Sequence, residues 1–524
     1  MADRTFDDAV RACREDQRPD DRPGGDRPGI VIILVDDMGF SDLGCYGGEI
    51  PTPHIDSLAE NGLRFSQFYN TGRCCPTRAS LLTGLYSHQA GVGHMTQDKR
   101  SPGYRGRLND HCVTIGRVAS SAGYLTAVSG KWHVGHDKKE WWPVSRGFDR
   151  FFGVPEGGGF YHRPKPGRSI VLNEEILYQH DSDLPDDWYC TDAFTENGLR
   201  FVDDAIAAEK PFLLYLTHIA PHFPLQADEE DIAKYRGKFR AGWDRLSKAR
   251  HERQLELGFI DPAWKKMPRP KEVPAWDTLS EKQQDRLDHL FATYAATMDR
   301  LDRSVGNLIS GLKQRNQFEN TLILFLSDNG ASAEGGTLGR TDGDPTEADS
   351  NWWAGKAWAW HSNTPFRRYK KANEEGGIAT PLIAHWPEKI SNRGGWCDTP
   401  AHVIDLLPTL LELTGADYPE RHDGNEILPY EGESLVPLLT GAGEIERGEP
   451  LFWEHEGNAA VRVDDWKLVR VGGKGKWELY DLAKDRTEQN NLADSHPEKV
   501  TELSDLWKAW AARCHVAPQG NPRK

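Results

Sequence analysis

Five short, continuous apolar runs constrain this chain more than any other feature: Val31 to Val35, Tyr124 to Val128, Phe212 to Leu216, Leu322 to Leu326 and Pro381 to Trp386. Each is too uniformly apolar for a strand with one face in water, so they read as strands of a parallel sheet buried on both faces. Helical patterns lie between them, over Thr52 to Gly62, Cys112 to Ala122, Asp192 to Ala208 and Lys282 to Gln314, the last either whole or broken. The alternation predicts an α/β fold, a large mostly parallel sheet sandwiched by helices. The chain's 524 residues are enough for such a core and for a second domain.

The texture changes near residue 440. Ala460 to Val463, Trp466 to Val471 and Trp477 to Leu482 read as antiparallel strands, with turns at Asp464-Asp465 and Gly472-Gly473. A final helix is expected from Ser495, whose spacing to Glu498 fits a capping box. Its stripe is Val500, Leu503, Trp507 and Trp510, and its tryptophans read as packing. The expected division is therefore a catalytic domain over 30–440 and a small α+β domain over 441–524. Within the first, the charge-dense stretch 226–277 reads as a helical insertion at the rim of the site. Residues 1–29 are polar and lack the apolar core of a secretory signal, so they read as a disordered leader. Eight scattered cysteines show no disulfide framework, which fits a reducing compartment and makes cytoplasmic the expectation. A net charge of -16 excludes a general basic surface for nucleic acid. No run approaches the roughly 18 to 20 apolar residues of a membrane span.

In open α/β sheets, ligands bind beyond the carboxyl ends of the strands. Four of the five runs are followed there by residues of catalytic type: Asp36-Asp37, Gly130-Lys131-Trp132-His133, His218 with Pro221-His222-Phe223-Pro224, and Ser327-Asp328-Asn329-Gly330. Asp36, Asp37, Asp328 and Asn329 make an all-oxygen set of the kind that holds a hard cation such as Ca²⁺ or Mg²⁺. The plainer reading, two caps or Asx-turns, leaves adjacent carboxylates repelling one another without compensation. Lys131, His133, His222 and Lys370 supply positive charge and proton traffic, and His218 reads as structural. Asn351-Trp352-Trp353 and Trp358-Ala359-Trp360-His361 are either an aromatic wall for an aryl or sugar group or a packed loop.

One segment carries the chemistry: Cys74-Cys75-Pro76-Thr77-Arg78-Ala79-Ser80-Leu81-Leu82-Thr83-Gly84. Alone it reads as a buried thiol pair on a turn. The order DD, CxPxR, GKWH, PHxP, SDNG, NTPxRxxK and EGG resembles the type I sulfatases of the alkaline phosphatase superfamily over residues 31–387, nearest to bacterial arylsulfatases. The resemblance implies hydrolysis of sulfate monoesters, with Cys74 oxidised to formylglycine by a maturation enzyme. It implies one divalent cation, Ca²⁺ in preference to Mg²⁺, on Asp36, Asp37, Asp328, Asn329 and the modified Cys74. It further implies catalytic roles for Arg78, Lys131, His133, His222, Asp328 and Lys370 beside that nucleophile, with a small sulfate ester as partner. Cys75 at the variable position is a departure; motif register, with Pro76 third, assigns the modified position to Cys74. A phosphonate monoester or phosphodiester hydrolase on the same machinery, and a catalytically silent anion binder, are the rival readings.

Overall fold

The computed structural model describes residues 27–185, 187–445 and 447–517. The leader expected over 1–29 lies almost wholly outside the described residues. The main sheet has eleven strands among the described residues. Across it run β12 (Gly395–Cys397), β2 (Leu63–Tyr69), β11 (Ala379–His385), β8 (Thr321–Ser327), β1 (Gly29–Val35), β7 (Phe212–Thr217), β3 (Leu125–Lys131), β4 (Arg150–Val154), β5 (Ile170–Leu172) and β6 (Glu175–Tyr178), with β13 (Ala401–His402) also on β2. The strands β8, β1, β7, β3 and β4 are parallel neighbours. Every residue of β1, β3, β7, β8 and β11 is buried, in keeping with the apolar runs they contain.

The fifth apolar run departs from expectation. It forms β11, which is fully buried but antiparallel to both β8 and β2. Burial on two faces dictates the composition of a strand and leaves its direction free, so the run alone could not distinguish the two. The helix of Glu281–Gln314 is a single unbroken element of 34 residues. Ser280 and Gln283 form its capping box. The box expected at Ser495 and Glu498 does not form, because the last helix starts at Pro497 with His496 as its cap. Proline at the first helical position supplies a pre-set φ and lacks the N–H that a cap would satisfy.

The stretch 226–277 is helical over Glu229–Ala233 and Gly242–Glu256. It is anchored from inside: Trp243 packs edge-on against Trp276 and Trp358, and buried Arg250 pairs with Asp42 and Glu49 at 2.8 Å each. His361 completes this cluster by bonding Glu49 at 2.6 Å. A β9 (Arg340–Asp342) and β10 (Asn351–Trp353) ribbon follows, and a short hairpin pairs β14 (Arg421–His422) with β15 (Asn425–Glu426).

The C-terminal sheet has four antiparallel strands, β16 (Leu451–His455), β17 (Asn458–Val463), β18 (Trp466–Arg470) and β19 (Glu478–Asp481), covered by the Pro497–Arg513 helix. The first of these, β16, is not among the strands expected from sequence. Leu503, Trp507 and Trp510 are buried against this sheet, and Trp510 stacks on Phe452 at 5.2 Å. These tryptophans are packing residues. The described helices include none long and apolar enough to cross a membrane.

A buried charge cluster joins this sheet to the turn after Lys370. Lys467 Nζ donates to Glu375 at 2.8 Å and pairs with Glu488 at 2.9 Å. Arg486 Nε bonds Glu375 at 2.9 Å, and Arg462 reaches Tyr69, whose hydroxyl also donates to Glu375. Burial pushes the Glu488 carboxyl up to about 7, with Lys467 opposing and Glu375 adding to the rise. Removing one partner of a buried ion pair costs ~3 to 5 kcal/mol. Lys467→Met is therefore expected to lower stability by about that amount in urea unfolding. Because Glu488 has a folded pKa above its ordinary 4.5, its ionisation costs stability as pH rises from there through 7. The loss in Lys467→Met should be larger at pH 8 than at pH 5, and a pH-independent loss would contradict the assignment.

Candidate active site

Parallel register puts the chemistry on one sheet edge. Val35 lies opposite Ser327, Leu34 opposite Thr217, and Gly130 opposite Thr217 from the other side. Asp36-Asp37, Asp328-Asn329, Lys131 and the turn bearing His222 thus leave adjacent strand ends together. Two glycines permit the approach. A Cβ on Gly130, at φ +121°, would stand 1.9 Å from the Thr217 carbonyl oxygen. One on Gly330 would stand 1.9 Å from the Gly376 carbonyl oxygen. Asp37 and His133 take left-handed backbone, at φ 69° and 62°. Such strain in non-glycine residues persists where the surroundings over-determine it.

Cys74 opens a ten-residue helix, Cys74–Thr83, that is buried along its whole length. Arg78 lies one turn on, so it shares the face of Cys74. Its Nε and Nη2 donate to Asp328 Oδ2 at 3.2 and 2.8 Å, and its Nη1 donates to the Lys131 carbonyl at 2.8 Å. Thr77 Oγ1 donates to the Asp328 carbonyl at 2.6 Å. The helix is thereby bolted to the end of β8.

The remaining cations are paired. Lys131 Nζ donates to Asp36 Oδ2. Lys370 Nζ contacts Asp37 Oδ1 at 2.5 Å and Oδ2 at 2.7 Å. His222 Nε2 is 3.5 Å from Asp37 Oδ2. Burial pushes the Asp36 carboxyl up, but Lys131, His222 and Arg78 outweigh it and hold the group below the usual carboxylate range. Burial pushes Asp328 well up, with the Asp36 charge reinforcing it against Arg78. His133 is held down to about 3 by burial and by Lys131, which keeps its imidazole neutral.

Two oxygens at this edge, Asp36 Oδ1 and Asn329 Oδ1, are buried without a hydrogen-bond partner. Asn329 spends its amide N–H groups on Asp37 Oδ1 at 2.7 Å and the Gly330 carbonyl at 2.9 Å, leaving its own oxygen unbonded. Orphaned acceptors among three buried carboxylates fit an oxygen-seeking divalent cation. Asp36, Asp37 and His222 offer ligand atoms within 4.8 Å of one another; Cys74 groups instead with Cys75 and His133.

Family comparison follows the same residues. The Sulfatase family model matches residues 28–416, and the model of the N-sulphoglucosamine sulphohydrolase C-terminal region matches 368–510. The chain belongs to the sulfatase family. It is a sulfuric ester hydrolase of the alkaline phosphatase superfamily. An uncharacterized sulfatase of Schizosaccharomyces pombe is 33% identical over 531 residues, covering 94% of each chain. An arylsulfatase of Klebsiella aerogenes is 33% identical over 442 residues, covering 81% of this chain and 94% of its own. The solved structure of Ps i-CgsB in complex with k-i-k-neocarrahexaose superposes with a TM-score of 0.69 at 26% identity, covering 93% of each chain.

The structure brings Asp36, Asp37, Asp328, Asn329, Arg78, Lys131, His222 and Lys370 together at this edge, and groups Cys74 with Cys75 and His133. His218 is separate: it is buried against Phe194, with neither ring nitrogen bonded, as a packing residue. Of the tryptophans, Trp352, Trp358 and Trp360 are buried, whereas Trp353 is half-exposed and stacks on Phe223 at 3.7 Å. Phe223 stacks in turn on His222 at 4.1 Å, and Lys370 Nζ lies 5.4 Å from its ring centre.

Sequence reasoning missed three contributors. Glu334 pairs with Lys371 at 2.9 Å and with Lys370 and Arg73 at 3.6 Å each. Burial raises its carboxyl, but Lys370 and Arg73 win and hold it down to about 2. Thr77 occupies a variable position of the Cys74 segment, and its bond to the Asp328 carbonyl depends on tertiary pairing. His455, from β16, is buried and pushed down to about 3 by burial and Arg73, with a smaller opposing influence from Cys74. Neither Glu334 nor His455 sits in a motif that a pattern could find.

Gly330→Ala tests the close approach directly. Its Cβ must displace the Gly376 carbonyl, shifting both Asn329 and the turn after Lys370. The expectation is a loss of kcat of at least roughly 100-fold on a sulfate ester, as for other small misplacements at reacting centres, with the protein still folded. Near-normal kcat would contradict the stated packing.

Proposed function

We propose that the chain hydrolyses sulfate monoesters of the aryl type, using formylglycine made from Cys74 as nucleophile and one Ca²⁺ on Asp36, Asp37, Asp328 and Asn329. The observation that carries this reading is the position of Cys74: it starts a helix whose Arg78 grips Asp328 and the Lys131 carbonyl, so position 74 lies within electrostatic reach of Asp36, Asp328, Lys131 and His133. Hydrated, an aldehyde there offers one hydroxyl to attack sulfur and a second to release sulfate, which a serine could not do. A bound divalent cation would polarise a sulfuryl oxygen and favour the deprotonated nucleophile.

The chain's own groups have the following roles in this reading. Asp328 helps deprotonate the attacking hydroxyl. Lys131 and Lys370 stabilise charge that builds on the sulfuryl oxygens as the sulfur–oxygen bond breaks, while Arg78 holds the nucleophile and the Asp328 carboxylate. His222 or Lys370 gives a proton to the departing oxygen. His133, neutral and buried, accepts the proton from the second hydroxyl as sulfate leaves and the aldehyde re-forms. Burial of these groups, with only His222 half-buried, excludes bulk water and strengthens each interaction. The half-exposed Trp353, stacked on Phe223 beside His222, supports an aromatic leaving group, as does the likeness to the Klebsiella arylsulfatase.

Paired aryl sulfate and aryl phosphonate substrates, measured with matured enzyme, test the proposal. The sulfate should have the higher kcat/KM; a large preference for the phosphonate would overturn the reading. An aromatic contact is worth ~1 kcal/mol, so Trp353→Ala should raise KM for the aryl sulfate about fivefold while leaving kcat nearly unchanged.

A further inference from the structure

The head of the Cys74–Thr83 helix carries a second donor set, different in kind from the carboxylates. Cys74 Sγ, Cys75 Sγ and a ring nitrogen of His133 all lie within 4.8 Å of one another, and all three residues are buried. His133 Nδ1 is buried and has no hydrogen-bond partner. The other contact of the Cys75 thiol is also soft: Met95 Sδ, at 3.8 Å. The neighbouring cations are already engaged, Lys131 with Asp36 and Arg78 with Asp328. Sulfur and imidazole are the donors that soft and borderline divalent ions choose, whereas the oxygen set next to them suits a hard one. The group formed by Asp36, Asp37 and His222 contains none of Cys74, Cys75 and His133.

We propose that the thiol form of this chain binds one soft or borderline divalent ion, of the Zn²⁺ or Cd²⁺ class, through Cys74 Sγ, Cys75 Sγ and His133. Three protein ligands leave one tetrahedral position for a water or another small ligand. Sulfurs bonded to one zinc at about 2.3 Å stand roughly 3.8 Å apart. The observed spacing therefore needs only small side-chain rotations to close. Binding forms two metal–sulfur bonds and one metal–nitrogen bond and releases the two thiol protons; no oxidant or reductant takes part. The site gives Cys75 a role that no step of sulfate hydrolysis assigns to it. It stands apart from the proposed function, since it concerns only a chain in which position 74 is still a thiol. Conversion of Cys74 to an aldehyde would remove one sulfur and abolish the site.

The test uses the full chain, purified with Cys74 verified as a thiol by peptide mass spectrometry. It is titrated with Cd²⁺ in excess Ca²⁺, which fills the oxygen ligands. The readout is the ultraviolet thiolate-to-cadmium charge-transfer band. The band should saturate at about one ion per chain, as three ligands on one ion require. It should vanish in Cys74→Ser. In Cys75→Ser or His133→Gln the affinity should fall at least roughly tenfold, the least that loss of even an outer partner of a metal ligand costs. Cys75→Ala is measured beside Cys75→Ser, with thermal melts, so that a folded variant is read. Absence of the band, or a band unchanged in Cys74→Ser and in both Cys75 variants, would overturn the proposal. In the latter case the signal would arise from other buried thiols such as Cys112 or Cys397.

Discussion

Three carboxylates that repel one another stand side by side because β1 and β8 pair in parallel register. Val35 faces Ser327, so the next residues on each strand, Asp36-Asp37 and Asp328-Asn329, must meet. Burial removes the water that would screen them, and the rest of the site can be read as compensation. Arg78 takes Asp328, Lys131 takes Asp36, and Lys370 takes Asp37. These cations come from a helix, a strand end and a loop far apart in sequence. The electrostatic demand of one sheet edge therefore fixes how three distant segments pack. These three cations equal the three carboxylates in number, so they leave no surplus positive charge, and a bound divalent cation would add the charge that an anionic ester needs.

The supports beneath that cleft are themselves charged and buried. Glu375 follows the Lys370 segment and is gripped by Lys467 and Arg486 of the C-terminal region. The same turn accepts the Gly330 amide through the Gly377 carbonyl at 3.1 Å, while the Lys370 amide donates to the Ala331 carbonyl at 3.1 Å. The small antiparallel sheet thus reaches the reacting groups through backbone hydrogen bonds, and through His455 it lies electrostatically close to Cys74. Its role in the site is structural coupling as well as packing.

Much of this was legible in the sequence because strand ends in an α/β sheet have a fixed relation to function. Asp36-Asp37 and Asp328-Asn329 each follow an unmistakable apolar run. The segment from Cys74 to Gly84 sets Pro76 in the first turn of its helix, Arg78 one turn past Cys74, and Gly84 at the left-handed stop. The less legible parts share a physical cause. The direction of β11 depends on connectivity rather than composition. The anchors Arg250, Thr77 and Glu334 act through partners distant in sequence, so their immediate neighbours say nothing of them. Trp353 and Trp358 look alike in a tryptophan-rich stretch, and only tertiary packing leaves one of them half-exposed beside Phe223 and the other within the core. The aliphatic pattern, by contrast, needed no partner to be read, since burial acts on each residue alone.

Position 74 matters to the proposed chemistry more than any other. Arg78, His133, Lys131 and the carboxylates are arranged around it, and each role assigned to them presumes a nucleophile there that can be released after it has taken up sulfate. Peptide mass spectrometry of the Cys74–Arg78 segment, on active protein from its native host, tests this most directly. The expected result is an aldehyde mass at position 74 with Cys75 unchanged, and trapping of that aldehyde by a hydrazide that also abolishes activity. Active protein carrying an intact thiol at Cys74, or the modification at Cys75 instead, would contradict it.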